Sequence, residues 1–122
     1  MENINVEKTQ LIYLASPYSN PDDIIRILNY QNISKVAAQL ISEGYVVFSP
    51  ISYGHHLLEF KDMPTDWGFW NNFCVTFLLK CDKLIVCKMR GWDKSIGVQA
   101  EIDIANKNSI PVEFIDFKID NL

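Results

Sequence analysis

Leu84-Ile85-Val86-Cys87-Lys88-Met89-Arg90-Gly91-Trp92-Asp93-Lys94-Ser95-Ile96-Gly97-Val98-Gln99-Ala100-Glu101-Ile102-Asp103-Ile104-Ala105 reads as a strand, a polar loop and a helix. The run Leu84–Cys87 is apolar, carries β-branched Ile85 and Val86, and is bounded by Lys83 and Lys88, which is the composition of a buried strand. Gly91 to Ser95 breaks that pattern, and Ser95 stands where the N-cap of a helix starting near Ile96 belongs. At about 100° per residue, Val98, Ile102 and Ala105 share one side of that helix with Ala100 and Ile104 extending the arc, while Gln99, Asp103, Asn106 and Lys107 face the other way. Glu101 falls inside the apolar arc. A carboxylate on the face that packs against a sheet must be paired, protonated or turned into a cavity, because burying it bare is too unfavourable. The alternative is a helix-edge glutamate that reaches water or pairs with a lysine.

At 122 residues the chain is expected to form one domain, with a polar N-terminal extension over 1–10 and the domain over 11–122. Its 48% hydrophobic and 21% charged residues are those of a globular protein. A net charge of -4 without a lysine or arginine cluster argues against a nucleic-acid polymer as partner. A small anion held at a helix N-terminus is compatible with that charge. Cys74, Cys81 and Cys87 lack CxxC spacing and a matching histidine, so they are expected to be reduced structural thiols of a cytoplasmic protein. The N-terminus has no signal-peptide core, and no apolar run is long enough for a bilayer.

In chain order, Leu11–Ala15 is the first strand and Ser16-Pro17-Tyr18-Ser19 the loop leaving it. Asn20-Pro21-Asp22-Asp23 predicts a helix capped by Asn20, with Pro21 in its first turn, running to Ser42 and stopping at Gly44. Tyr45–Phe48 is the second strand, ending at Ser49-Pro50 as the first ends at Ser16-Pro17. Ile51 to Thr65 has no sustained period and is expected to be a long functional loop. Within it, His55 and His56 lack a carboxylate or cysteine at ligand spacing and read as loop structure before metal. Asp66 is the expected cap of a helix from Trp67 to Lys80 whose Trp67, Trp70, Phe73, Cys74, Phe77 and Leu78 form an aromatic face. Core or subunit interface is preferred for that face over a base-stacking platform. A fourth strand follows at Val112–Ile115.

Continuous apolar strands alternating with helices predict an α/β domain, a parallel sheet of four to five strands covered by helices on both faces, flavodoxin- or Rossmann-like. Ligands of such sheets bind at the carboxyl ends of the strands, near the switch in strand order. There Ser16–Ser19, the stretch from Ser49 and Arg90–Ser95 are expected to converge. Neither GxGxxG nor GxxxxGK[ST] is present, which weighs against dinucleotide oxidoreduction and NTP hydrolysis.

Tyr13-Leu14-Ala15-Ser16-Pro17-Tyr18 resembles the YLAGP-type opening of the nucleoside 2-deoxyribosyltransferase superfamily, and Ser95-Ile96-Gly97-Val98-Gln99-Ala100-Glu101 resembles its S-x-G-V-x-x-E segment. Asp82 and Ala105 fit as well, and the second segment is closest in form to the 2′-deoxynucleoside 5′-phosphate N-hydrolases. With Phe48-Ser49-Pro50-Ile51-Ser52, Asp66-Trp67, Trp70 and Gly91-Trp92-Asp93, the chain is similar to a short, uncharacterised branch of that superfamily.

The resemblance implies cleavage or exchange of an N-glycosidic bond in a nucleoside or nucleoside 5′-monophosphate, hydrolysis being favoured. Glu101 matches the nucleophile that forms a covalent glycosyl-enzyme, a task suited to a carboxylate because the transition state is oxocarbenium-like. Ser95 matches a serine that holds a 5′-phosphate, and Gly97 is expected to let the backbone approach the ligand. Ser16, Pro17, Tyr18, Ser49, Trp92 and Val98 complete the expected binding set. Tyr18 reads equally as a base-stacking residue or an ordinary loop tyrosine, and Trp92 as a lid over the base or a hydrophobic plug. The hydrolases carry an aspartate eight residues before the position of Asp82; here that position is Cys74. Asp66 and Asp93 are the candidates to replace it in proton handling. Arginines expected after the first strand are absent, and Arg26 lies within the helix. Neither metal nor organic cofactor is expected, and relatives assemble as homodimers or larger oligomers. The competing readings are a non-catalytic nucleotide-binding protein and an NAD glycohydrolase-like enzyme.

Overall fold

The computed structural model describes residues 4–117, so residues 1–3 of the expected extension and residues 118–122 lie outside the described residues. In order the elements are β1 (Leu11–Ala15), α1 (Asp23–Ser42), β2 (Val46–Phe48), α2 (Pro50–Leu57), α3 (Trp67–Leu78), β3 (Lys83–Lys88), a 3-10 turn (Trp92–Lys94), α4 (Ile96–Lys107) and β4 (Val112–Asp116). The four strands are parallel in the order β2-β1-β3-β4, with Tyr13 in register with Phe48 on one side and Leu84 on the other. The chain steps from β1 to β2 in one direction and returns to β3 on the opposite side, so the switch in strand order lies between β1 and β3. This is the expected α/β fold.

Strand alternation divides the core in two. Ile12, Leu14, Ile85, Cys87 and Ile115 pack with Ile33, Val36, Ala37 and Leu40 of α1. Tyr13, Ala15, Leu84 and Val86 point the other way, onto Cys74 and Leu78 of α3 and Val98 and Ala105 of α4. Successive strand residues face opposite layers, so both faces need apolar side chains, and this is why each strand reads as an unbroken run. Residues 4–10 dock on the sheet. Ile4 is buried in the α1-side core, Lys83 and Glu113 pair at 2.9 Å, and Asn5 donates its N–H to Glu113 at 3.1 Å while its carbonyl accepts from Lys83 Nζ at 3.0 Å. Asp82 accepts from the Leu11 N–H at 2.7 Å, fixing the entry to β1.

The structure corrects three local expectations. Residues 50–57 are helical, where a loop from Ile51 to Thr65 was expected: Ser49 Oγ accepts from the Ser52 N–H at 3.2 Å, Pro50 occupies the first turn, and Ser52 bonds Ser34 of α1 at 2.7 Å. A helix this short is held by its cap and by packing rather than by a long sequence period. At α1, Asp22 and not Asn20 is the cap, accepting from the Ile24 N–H at 2.9 Å, while Asn20 accepts from the Asp22 N–H at 2.9 Å and Pro21 precedes the helix. Asp66 stands at the cap position of α3 with extended backbone but makes no side-chain cap bond. Gly44 ends α1 as expected, at φ +98°, with its N–H on the Ile41 carbonyl at 2.9 Å and the Tyr45 N–H on the Leu40 carbonyl at 3.1 Å.

Candidate active site

Past the end of β3, Gly91 adopts φ +89°, a backbone open to glycine at little strain, and the 3-10 turn carries the chain to Ser95. Ser95 Oγ accepts from the Val98 N–H at 3.2 Å and starts α4. Counted from that cap, Val98, Glu101 and Ala105 fall on the buried face. Glu101 is 5% exposed. Its Oε2 accepts from the Tyr13 hydroxyl, and none of the ion pairs among the described residues includes it. Tyr13 comes from the middle of β1, where it is fully buried. Burial pushes the Glu101 carboxyl up to about 7, the Tyr13 hydrogen bond pulling the other way. The Tyr13 phenol is held well above its ordinary range by burial and then by Glu101. Cys74 neighbours both groups, and burial raises its thiol to about 11, so it is a neutral thiol at physiological pH.

Glu101 and Cys74 line a cavity of about 300 Å³ at the carboxyl end of β1, closed by the loop after β1, by α2, by the start of α3 and by the N-terminus of α4. That volume is at the lower end of small-molecule sites, which run from about 300 to 1,000 Å³. Its rim is braced where Ser19 Oγ donates to the Thr65 carbonyl at 2.6 Å and Asn29 donates to the Tyr18 carbonyl at 3.3 Å. Trp67 and Trp70 supply flat apolar wall. A Cβ on Gly97 would sit 3.3 Å from the Trp67 ring, and one on Gly54 would sit 3.3 Å from Trp70. The two glycines therefore make room for the indoles, which is a different reason for Gly97 than the close ligand approach expected of it. Ser16 Oγ lines the same cavity, is buried, and has no hydrogen-bond partner. Buried hydroxyls are nearly always satisfied, so this one is left for a ligand or water.

Of the residues singled out in the sequence, Glu101, Asp66, Ser16, Tyr18, Ser95, Gly97 and Val98 line the cavity together. Four do not. Pro17 is buried outside the cavity lining, and Ser49 is occupied as the cap of α2. Trp92 packs against Phe114 of β4 at 5.5 Å, because the left-handed turn at Gly91 directs it to that edge of the sheet. Asp93 is exposed on the 3-10 turn. The aromatic face of α3 is split: Trp67 and Trp70 reach the cavity, while Phe77 stacks on Phe48 at 4.2 Å and Phe73 on Tyr53 at 6.0 Å.

The sequence reading missed Tyr13, which looked like one more core residue of β1, and His55, which read as loop. The repeat of a serine–proline pair at Ser49-Pro50, a cap followed by a first-turn proline, is the signal that could have placed His55 on a helix.

Residues 10–116 match the sequence profile of a family described as a domain of unknown function, DUF1937. Among solved structures, a 2-deoxyribosyltransferase from the psychrotolerant bacterium Bacillus psychrosaccharolyticus is similar at TM-score 0.55 and 22% sequence identity, over 87% of this chain and 72% of that one. At that identity the likeness is one of fold, and at that level it agrees with the resemblance carried by the motifs. Comparison with curated proteins gives no sequence match.

Proposed function

The chain belongs to the DUF1937 family, and we propose that it is an enzyme that cleaves the N-glycosidic bond of a nucleoside or nucleoside 5′-monophosphate, with water as the acceptor. The observation that carries this reading is Glu101, a buried carboxyl with no cationic partner among the described residues that lines a cavity at the strand switch. As carboxylate, Glu101 attacks the anomeric carbon while the carbon–nitrogen bond breaks and its electron pair leaves with the base. Water then attacks the same carbon, the carbon–oxygen bond to Glu101 breaks, and the carboxylate is regenerated. One water is consumed, its hydroxyl ending on the sugar and its proton on the base. Asp66, at the cavity wall, is the residue proposed to handle that proton; Asp93 lies outside the cavity lining and is not carried forward.

Tyr13 is a positioning residue, since its hydroxyl fixes one oxygen of Glu101 and favours the ionised form. Ser16 Oγ and the N–H groups at the start of α4 offer donors to sugar or phosphate oxygens, and Lys94 at the cavity wall supports an anionic ligand. Fold likeness to an enzyme described as a 2-deoxyribosyltransferase supports the same chemistry. The free thiols of Cys74 and Cys81 support a reducing, cytoplasmic setting. Exposed Ile24, Ile27 and Leu28 along α1 support a homodimer or larger assembly.

The test is incubation with 2′-deoxynucleosides and their 5′-monophosphates, followed by chromatography for free base. Release by wild type and none by Glu101→Gln is expected. A non-catalytic nucleotide-binding protein is the second reading, favoured by Cys74 in the cavity where the resemblance calls for an aspartate; tight binding without release by wild type would establish it.

A further inference from the structure

His55 lines the cavity from α2, and its ring is fixed from two sides. Tyr30 stacks on it at 4.2 Å and 26°, and Tyr18 meets it edge-on at 5.6 Å and 78°. The Tyr18 hydroxyl lies 2.6 Å from Nδ1. That distance alone fits either direction of donation, and relative acidity decides it. A phenol is a far stronger acid than a neutral imidazole N–H, so the Tyr18 hydroxyl donates and the ring nitrogen accepts. If Nδ1 carried a proton as well, the Tyr18 proton would have no partner in the described structure.

A ring that accepts at Nδ1 carries its proton on Nε2 when neutral. Burial favours the neutral ring, with Arg26 acting in the same direction and Glu59 opposing it. No described residue accepts from Nε2, and Nε2 is not among the sealed, unpartnered polar atoms, a class in which Ser16 Oγ is the one found. The Nε2–H of His55, a cavity-lining residue, is therefore left for a ligand or water. Trp67 and Trp70 in the same cavity suit a flat heterocycle, whose ring nitrogens and carbonyl oxygens lie in its plane and accept hydrogen bonds at its edge.

We propose that His55 recognises the base of the ligand by donating Nε2–H to an in-plane ring nitrogen or carbonyl oxygen, and that Tyr18 is the positioning residue that sets this tautomer. The inference rests on the reading of the cavity as a nucleoside site but not on turnover.

Its test uses Glu101→Gln as a background without hydrolysis. The four common 2′-deoxynucleosides are titrated by calorimetry into that protein and into the same protein carrying His55→Phe or His55→Gln. Phenylalanine keeps the stack on Tyr30 and removes the N–H; glutamine restores a side-chain N–H. For the tightest ligand, His55→Phe weakens binding about tenfold, the worth of one hydrogen bond, and His55→Gln recovers to within about threefold of the background. In wild-type protein, ¹⁵N spectra of the imidazole show the Nε2–H tautomer, and in Tyr18→Phe they show a mixture of both, a readout that a purely packing role would not move.

Equal binding by His55→Phe, or an Nδ1–H tautomer in wild type, overturns the proposal. Binding of no nucleoside overturns it too. Base release by wild type together with equal binding by His55→Phe sinks this inference and leaves the glycosidase reading standing. Binding without release does the reverse.

Discussion

Replacing Glu101 by glutamine isolates what this acid does to the fold. Its carboxyl moves from 4.5 to about 7 on folding, chiefly through burial. Below the unfolded value both states are protonated and the group contributes nothing. Between the two values the folded protein keeps a proton that the unfolded chain has released, so stability falls as pH rises. Above about 7 both states are ionised and the full penalty of the buried charge remains. At about 1.36 kcal/mol per pH unit, the loss is roughly 3 kcal/mol. Glutamine is isosteric, stays neutral and keeps an oxygen to accept from Tyr13. Glu101→Gln should therefore match wild type near pH 4.5 and exceed it by roughly 3 kcal/mol at pH 8.5. In a domain of this size that is a rise in Tm on the order of 10 °C. Urea unfolding of both proteins at pH 4.5, 6, 7 and 8.5 measures it, and the difference between the two cancels the other titrating groups. A difference that stays flat from pH 5 to 8, or a variant less stable at pH 8.5, would refute the reasoning, because it would mean that the carboxylate is already paired or hydrated.

Tyr13→Phe removes the one hydrogen bond that opposes the upward shift of Glu101. If ionised Glu101 is the nucleophile, kcat/KM of wild type rises with pH to a plateau past about 7, and in the variant that limb moves to higher pH; an unmoved limb would show that Glu101 does not set it. Ser16→Ala deletes a buried hydroxyl that has no partner. It should leave stability within about 1 kcal/mol of wild type or raise it, while weakening nucleoside binding several-fold by calorimetry, and a loss of stability without a loss of binding would assign Ser16 to the scaffold. Ser49→Ala removes the cap of α2. It should cost about 1 kcal/mol in urea unfolding, and no change would mean that packing alone holds α2.

The fold was legible because its signals are redundant. Each strand is an apolar run, and the amphipathic pattern after Ser95 correctly placed Val98, Glu101 and Ala105 on the buried side. What stayed illegible depends on distance in space. α2 is eight residues long, contains Gly54 and two histidines, and gains its stability from α1 and Trp70, which no local period records. Tyr13 is indistinguishable in sequence from Leu14 beside it; only the register of β1 against β3, with α4 crossing above, brings its hydroxyl to Glu101, 88 residues away along the chain. Trp92 and Asp93 follow the same rule in reverse. They sit three and two residues before Ser95 in sequence, yet one left-handed residue at Gly91 turns Trp92 to Phe114 and leaves Asp93 in solvent.

The placement of unsatisfied groups is the strongest physical reason to read this cavity as functional. The fold does pair a buried charge where only stability is at stake: Lys83 is buried and meets Glu113 at 2.9 Å, and the pair clamps the chain at Asn5. Glu101 is buried to a similar degree and has a phenol in place of a cation, and Ser16, equally buried, has nothing. A neutral glutamine at position 101 would keep the acceptor for Tyr13 and would remove roughly 3 kcal/mol of destabilisation at neutral to alkaline pH. Two such groups set apart in the sequence by 85 residues but lining one cavity mean that the destabilisation is concentrated where a ligand can relieve it. An oxocarbenium-like centre beside Glu101 would supply the missing positive charge, and a ligand oxygen would supply the partner that Ser16 lacks. Ligand binding should then stabilise the protein more at pH 8.5 than at pH 5 when the ligand carries a fixed positive charge at the ring, as a quaternary ring ammonium does, and a thermal shift independent of pH would count against that complementarity.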